Sequence, residues 1–370
     1  MKPTLTPYRI ACVFPGIYRG GSEQVLFNLT RGFQALGHTV SYFSLKPMDP
    51  KEMVLDPDLP QPILLTQNKN KLFNININFR CLRQKRLNQT IQAYEAQHGA
   101  FNLILSNINT RNPLKSQHPD RIFYFLHIDP WAGTHCRYAH QPKRFAKEIA
   151  RLRACYQDKQ VIAVSQGAAD ALLQKIHAHP KSLQVIYNPF DSHKIRAQAL
   201  AFGPPLDQPY LLHVGRFDPQ KRHDLLLTAY QKLKNPPKLV LLTHVTEPLI
   251  QLIARFGLTD QVLLPGMQSN PFPWIQQAKA LILCSDWEGF GNVIVEALMC
   301  HTPVISTDCP SGPHEILTGH LATGLAPLND PERLAQKIQE ILHNPYPILP
   351  QDTERFEMRT ILPQYLSLIS

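Results

Sequence analysis

The sequence predicts an α/β chain of two successive domains, each built on a parallel sheet. Short apolar runs of strand length alternate with helical patterns along most of the chain. The alternation breaks in the proline-punctuated stretch Asn188–Pro209 and then restarts. The length of 370 residues matches about two domains at roughly 150 residues each.

Arg9–Phe14 (RIACVF) is brief, apolar and followed by Pro15-Gly16, which predicts a buried strand. Gly20-Gly21-Ser22-Glu23 then opens a helix, with Val25, Leu26, Leu29, Phe33 and Leu36 at helical spacing as its buried face. Gly37 stands where a C-terminal cap belongs, and Val40–Leu45 is the next strand. This βαβ opening implies right-handed crossovers. Residues 46–78 are irregular, and Phe79–Gln97 is helical with a basic start. Strands follow at Leu103–Ser106, Ile122–His127, Val161–Val164 and Leu183–Tyr187.

Prolines 189, 204, 205 and 209 mark residues 191–208 as a linker. The second series places strands at Tyr210–Val214, Leu239–Thr243, Val262–Leu264, Ala280–Cys284 and Val304–Ser306. Helices fall at Asp224–Leu233, Glu247–Phe256 and Asn292–Cys300, and Arg355–Ile369 forms a closing helix interrupted at Pro363. The domains are therefore 1–190 and 209–345, with 346–370 as a C-terminal segment packing back on the first. Two such domains predict a cleft, with ligands beyond the carboxyl ends of the strands.

Composition removes several classes. Apolar residues make up 44%, which is globular, and the 33 prolines are dispersed. No apolar run approaches the ~20 residues of a membrane helix. Lys238–Val245 and Lys279–Cys284 are strand-sized, and Ile10–Phe14 is too short for a signal-peptide core. Seven scattered cysteines without a CxxC argue against a disulfide framework or structural zinc, and for a reduced, cytoplasmic compartment. The net charge of +10 is uneven. Residues 1–190 carry 24 Lys+Arg against 11 Asp+Glu, and residues 191–370 carry 14 against 17. A basic first half suits an anionic partner: nucleic acid, an anionic membrane surface or an acidic substrate.

Four segments carry chemistry. Gly20-Gly21 lets backbone approach a ligand at a helix N-terminus, a setting that favours phosphate, although a plain flexible turn would look the same. The loop after His213-Val214 delivers Arg216 and Lys221, a planar fork and a point charge suited to a diphosphate, or simply two solvated charges. In Asp286–Leu298, Glu288 lies in a loop and Glu296 inside the helix that follows. Gly289 and Gly291 free backbone N–H groups toward an anion, and a helical carboxylate there can accept two vicinal hydroxyls. Alone, Glu296 reads as a surface glutamate. Finally, Thr302–Ile316 is a short strand ending in a Pro/Gly loop, where Glu315 reads as a helix cap.

Taken together, these segments resemble the retaining nucleotide-sugar glycosyltransferases of the family-4 type. EGFGNVIVEAL carries that family's E-x7-E as Glu288 and Glu296, and HTPVISTDCPSGP matches the segment that follows it. VGRFDPQKRHDLLLTAY and GGSEQVLFNLTRGFQALGHTV match the diphosphate loop and the opening βα unit. The resemblance covers residues 9–45 and 120–345 and is weak over 46–100, where acceptor specificity is expected. It implies the GT-B fold: two Rossmann-like domains facing a central cleft.

The resemblance also implies roles. Arg216 and Lys221, with Gly20 and Gly21 from the other domain, would bind the donor diphosphate. Glu296 would hold the ribose. Glu288 and His127, which ends the strand FYFLH, would stand at the reacting centre. Phe290, Gly291 and Asn292 would touch sugar and phosphate, and Met267 and Gln268 would lie near the base. The expected substrates are a nucleotide sugar, UDP-linked by the habit of the family, and a glycan or lipid-linked acceptor in cell-surface polysaccharide or lipopolysaccharide assembly. No cofactor or metal is expected, since cationic side chains take its place, and Asp56-Pro57-Asp58 sits in the irregular segment. The basic clusters at Lys69–Arg86 and Lys143–Arg153 would dock peripherally on anionic lipid at the inner face of a membrane. One departure stands out: Asn188-Pro189 replaces the usual Asn-Gly near the domain junction. The rivals are a nucleotide-sugar epimerase of the same fold and a nucleic-acid-binding protein. The latter lacks any recognisable motif, so nucleic acid is not expected as a partner.

Overall fold

The structure, a computed structural model, describes residues 7–16, 20–45, 59–64, 79–203 and 206–369. It divides into two compact units. Unit 1 comprises residues up to Val164, Ala169–Pro189 and the chain from Met358. Unit 2 comprises Ser165–Ala168 and Phe190–Glu357.

Unit 1 begins with β1 (Arg9–Phe14), α1 (Gly21–Ala35), β2 (Thr39–Ser44), β3 (Pro62–Leu64), α2 (Phe79–His98) and β4 (Leu103–Ser106). It continues through β5 (Ile122–Leu126), α3 (Pro130–Tyr138), α4 (Pro142–Tyr156), β6 (Gln160–Ala163), the short α5 (Gln166–Asp170) and β7 (Ser182–Val185). The sheet order is β3-β2-β1-β4-β5-β6-β7, and every pairing is parallel. The strands read as unbroken apolar runs because helices cover both faces, so both side-chain sets are buried. Leu105, Phe125 and Ile162 are fully buried.

Helix α1 buries Val25, Leu26, Leu29 and Phe33 as its spacing predicts, and Gly37 follows it with φ +84°. Leu36 departs from the prediction. It is 53% exposed because the helix has already ended and Leu36 is its cap.

Unit 2 contains α6 (Ser192–Ala199), β8 (Tyr210–Val214), α7 (His223–Gln231), β9 (Lys238–Leu242), α8 (Glu247–Arg255), β10 (Val262–Leu263) and α9 (Phe272–Gln277). Then come β11 (Ala280–Leu283), α10 (Asn292–Met299), β12 (Val304–Thr307), α11 (Pro313–Ile316), β13 (Leu325–Ala326), α12 (Pro331–His343) and α13 (Pro350–Glu354). Its parallel sheet runs β10-β9-β8-β11-β12-β13. The core joins Leu211, Leu239, Leu241 and Ile282 of the sheet to Leu226 of α7 and Leu334 and Ile338 of α12.

The stretch 191–208 is not a bare linker. It contains α6, capped by the Asp191 side chain on the Lys194 N–H, with Ile195 and Ala199 buried in unit 2. The prolines that suggested a linker lie before and after this helix. The closing helix is shorter than expected and not interrupted: α14 (Met358–Leu366) belongs to unit 1 and continues through Pro363, while residues 350–354 before it form α13 in unit 2.

Strand order reverses between β1 and β4 in unit 1 and between β8 and β11 in unit 2. Such switch points, at the carboxyl ends of the strands, are where open α/β sheets bind ligands.

Candidate active site

In unit 2 both segments after the switch-point strands are held to each other. After β8 the chain runs through Arg216, which is exposed, into a single 3-10 turn at Pro219–Lys221. Asp218 caps that turn by accepting the Gln220 N–H. Arg222 then takes a left-handed conformation, φ 48°, uncommon for a side chain with a Cβ. From there its guanidinium reaches both Asp224 oxygens and Asp286, 2.8 Å away. The Asp224 bonds, with Asp286 adding, hold Arg222 above its ordinary pKa. The loop after β11 joins this turn through Asp286 N–H to Gln220 O (2.9 Å) and Gln220 Nε2 to Trp287 O (2.7 Å).

The zippered loops bring Lys221 and Glu288 together. Lys221 Nζ lies 2.5 Å from Glu288 Oε1, which also accepts a 2.6 Å bond from Ser285 Oγ. Both charged side chains are largely buried, so the pair works in a medium of lower effective dielectric than water. Gly291, φ +91°, supplies the left-handed turn that starts α10. One turn into α10 stands Glu296. Burial pushes its carboxyl up to about 7, and it has no hydrogen-bond or ion-pair partner among the described residues. It is half-buried on α10, where burial favours its neutral form.

Beneath the β8 loop lie two imidazoles. His213 Nδ1 meets Ile282 O at 2.9 Å, and His213 Nε2 and both nitrogens of His223 are buried without hydrogen bonds. The rings meet edge-on, 4.7 Å apart. Burial holds His213 well below its ordinary pKa, with His223 adding to the push, and burial brings His223 to about 4. Both are neutral spacers under the cationic loop.

Unit 1 presents its own switch-point residues. Gly20 precedes α1, and a Cβ there would come 2.5 Å from Glu23 Oε2, so this helix N-terminus already carries a carboxylate. Gly21 begins the helix. After β5, His127 stacks on Phe125 at 4.8 Å, and its Nε2 lies 2.8 Å from Asn107 Oδ1. Asn107 Nδ2 donates to Ser22 O, which leaves Oδ1 as acceptor and places the His127 proton on Nε2. Burial lowers His127 to about 3, so it is neutral at pH 7 with a bare Nδ1.

Two family models match the chain: Glycosyltransferase Family 4 over residues 19–194 and Glycosyl transferases group 1 over residues 195–359. Together they take in both units and all the segments above. The chain belongs to the group 1, family-4 glycosyltransferases.

Among curated relatives of this glycosyltransferase, a Campylobacter jejuni N-acetylgalactosamine-N,N'-diacetylbacillosaminyl-diphospho-undecaprenol 4-alpha-N-acetylgalactosaminyltransferase is 35% identical over 158 residues, 42% of this chain and 43% of that protein. The lipopolysaccharide 1,6-galactosyltransferase of Escherichia coli is 31% identical over 172 residues, 43% and 47% of the two chains. The matches thus span less than half the length of these relatives. Sucrose-phosphate synthase from Thermosynechococcus elongatus superposes with a TM-score of 0.73 at 22% identity over 98% of each chain. Anabaena HepE, in complex with UDP and glucose, gives 0.67 at 20% identity over 97% and 98%. The fold is GT-B.

Of the residues singled out in the glycosyltransferase sequence, Lys221, Glu288, Phe290, Gly291, Asn292 and Glu296 gather on the β8 and β11 loops and α10, with Arg216 on the first of these loops. Met267 is 47% exposed, and Gln268 Nε2 caps the Pro265 carbonyl, both in the loop between β10 and α9. Asp56-Pro57-Asp58, Lys69, Lys71 and the Arg80 side chain lie outside the described residues. Among the described residues no cluster of three or more His, Cys, Asp or Glu could hold a metal, and no helix is long and apolar enough to cross a membrane. Sequence reasoning missed Ser285, Arg222, Asp286 and Asn107. Asn107 follows directly on β4, the strand at the switch point, which is the signal that would have found it.

Proposed function

We propose that the chain transfers a sugar from a nucleoside diphosphate sugar, with UDP as the nucleotide, to an acceptor hydroxyl with retention at the anomeric carbon. The observation that carries this reading is the half-buried Glu296, its carboxyl raised to about 7 by burial, on the helix that follows the Lys221–Glu288 pair. A carboxylate in that setting suits the two vicinal hydroxyls of a ribose, and Arg216 and Lys221 suit a diphosphate.

In the reaction the bond from the anomeric carbon to the diphosphate oxygen breaks. The acceptor oxygen bonds to that carbon and its proton is released. Charge builds on the leaving diphosphate, and Arg216, Lys221 and the N–H groups at the start of α10 are placed to take it. Glu288, already bonded to Lys221 and Ser285, would sit beside the donor sugar. Neutral His127 keeps its Nε2 donor committed to Asn107 and leaves Nδ1 as an acceptor. No metal is invoked, because the cationic side chains serve its electrostatic role.

The acceptor is a glycan or lipid-linked glycan, in keeping with the names of the Campylobacter and E. coli relatives. Peripheral docking would use α4, where Lys143, Arg144 and Lys147 are exposed. Arg151 pairs with Glu148 and Arg153 donates to Ile176 O, so these two are already engaged. Co-sedimentation with anionic and neutral liposomes tests this docking, and equal, negligible binding to both at low salt removes it.

A thermal-shift panel with UDP, GDP, ADP and CDP tests the donor. A ligand bound only by the native state adds about 2.7 kcal/mol at one hundred times Kd. UDP should raise Tm, and Arg216→Ala and Glu296→Ala should abolish the shift. No shift with any of the four at millimolar concentration defeats the reading.

A further inference from the structure

Ser165–Ala168 follows β6 in sequence but belongs to unit 2. The segment is bonded there to the β11–α10 turn and to α11. Ser165 is fully buried, and its Oγ donates to Gly289 O at 2.6 Å while accepting the Ala168 N–H at 3.2 Å. Glu315, on α11, accepts the Gln166 N–H at 2.7 Å on one carboxylate oxygen and the Gly167 N–H at 2.8 Å on the other. Its capping role is real, but the helix it caps is α5, 148 residues away from it in sequence at Gly167.

Close backbone approach locks the same assembly. A Cβ on Gly167 would come 2.9 Å from Ser311 Cα, and one on Gly312 would come 2.0 Å from Phe290 O. The Phe290 ring packs edge-on against Phe356 at 5.5 Å, and Arg355 donates to Glu315 O at 2.6 Å. The turn Glu288–Asn292 is therefore fixed by residues that do not belong to it.

We infer that Ser165 and Glu315 are positioning residues for the Glu288–Asn292 turn, acting through the Gly289 carbonyl and the Gln166–Gly167 backbone. The inference rests on the proposed glycosyl transfer for its catalytic consequence. Its structural half does not depend on the reaction. Ser165 holds the carbonyl between the two residues that flank the proposed donor sugar. Glu315 holds Ser165 in place by fixing the two residues after it. Neither side chain is assigned a contact with the donor, so losing them should change the geometry of the turn and lower kcat more than the affinity for the nucleotide.

The test uses the full chain with Ser165→Ala and Glu315→Gln. The glutamine is nearly isosteric and keeps one acceptor for the two N–H groups. Hydrogen–deuterium exchange should quicken at least about tenfold in the peptide covering Glu288–Asn292 and stay unchanged in β9. The kcat for transfer should fall about tenfold or more, while Kd for UDP stays within about threefold. Unchanged exchange at 288–292 in both variants overturns the inference, as does faster exchange with undiminished kcat. Equal losses in kcat and UDP affinity also overturn it, because they mark general damage to the nucleotide site. A wild-type chain that transfers no sugar from any nucleotide sugar defeats the proposed function instead, and the exchange measurement still decides whether these residues hold the turn.

Discussion

Lys221 and Glu288 stand 67 positions apart in sequence and 2.5 Å apart in space, and Ser285 shares the same carboxylate oxygen. The pair is self-neutralising. A diphosphate arriving at Lys221 would compete with Glu288 for its ammonium, and Ser285 would remain as the glutamate's partner.

Removing Lys221 alone should therefore be worse than removing both partners. Lys221→Ala leaves Glu288 buried and uncompensated, which should cost about 2–4 kcal/mol in urea unfolding. The double variant with Glu288→Ala should recover at least half of that loss. Equal stability in the single and double variants would show that Lys221→Ala does not leave Glu288 uncompensated.

Glu296 should make donor binding pH-dependent. Its folded pKa of about 7 lies above the ordinary carboxylate value, so the folded protein binds more protons than the unfolded chain between about pH 4.5 and 7. Stability falls as pH rises through that window. Ribose hydroxyls favour the ionised form, so affinity for a UDP sugar, whose diphosphate does not titrate here, should rise from pH 6 to pH 8. Calorimetry on Glu296→Gln should show weaker binding with a flat profile. The same variant should be more stable than wild type at pH 8 by roughly 1–3 kcal/mol.

The buried imidazoles predict acid sensitivity of the opposite sign. His223 titrates near 4 and His127 near 3 in the folded chain, against about 6.5 unfolded. The unfolded chain binds more protons below pH 6.5, so stability drops as pH falls from there toward 3. His223→Gln should flatten the decline in urea midpoint between pH 6.5 and 4.5. An unaltered slope would remove His223 from the account.

Gly312 and Gly291 should differ sharply in tolerance. Gly312→Ala combines φ +87° with a methyl 2.0 Å from the Phe290 carbonyl and should prevent stable folding. Gly291→Ala, φ +91°, meets only Ile294 Cδ1 at 3.1 Å, the end of a flexible side chain, and should cost about 1–2 kcal/mol by thermal melting.

Local pattern carried the strands and the helices that pack on them. β4 and β8 have the very ends that their apolar runs predict, and α10 begins at Asn292 as expected. Helix α6 was obscured because the prolines at 204, 205 and 209 coloured a window that also held Ser192–Ala199, whose apolar face is only Ile195 and Ala199. Side chains for the site were legible as types on loops after strands. Their partners were not, since Ser165 and Gly289 are separated by 124 positions and Lys221 and Glu288 by 67, and no periodicity spans such distances. Glu296 illustrates the limit best: its position was readable, but its desolvation depends on residues packed around it in three dimensions.

Helix α14 packs on α1, the first helix among the described residues. Gly32 leaves room for Leu362 and Met358, and the Tyr365 ring meets Phe33 edge-on. The ribosome thus makes the body of unit 1 first, yet the helix that completes its packing emerges only after the whole of unit 2. The first unit to be synthesised is the last to be finished, and a gene cut after residue 190 would encode a sheet with its α1 face still uncovered.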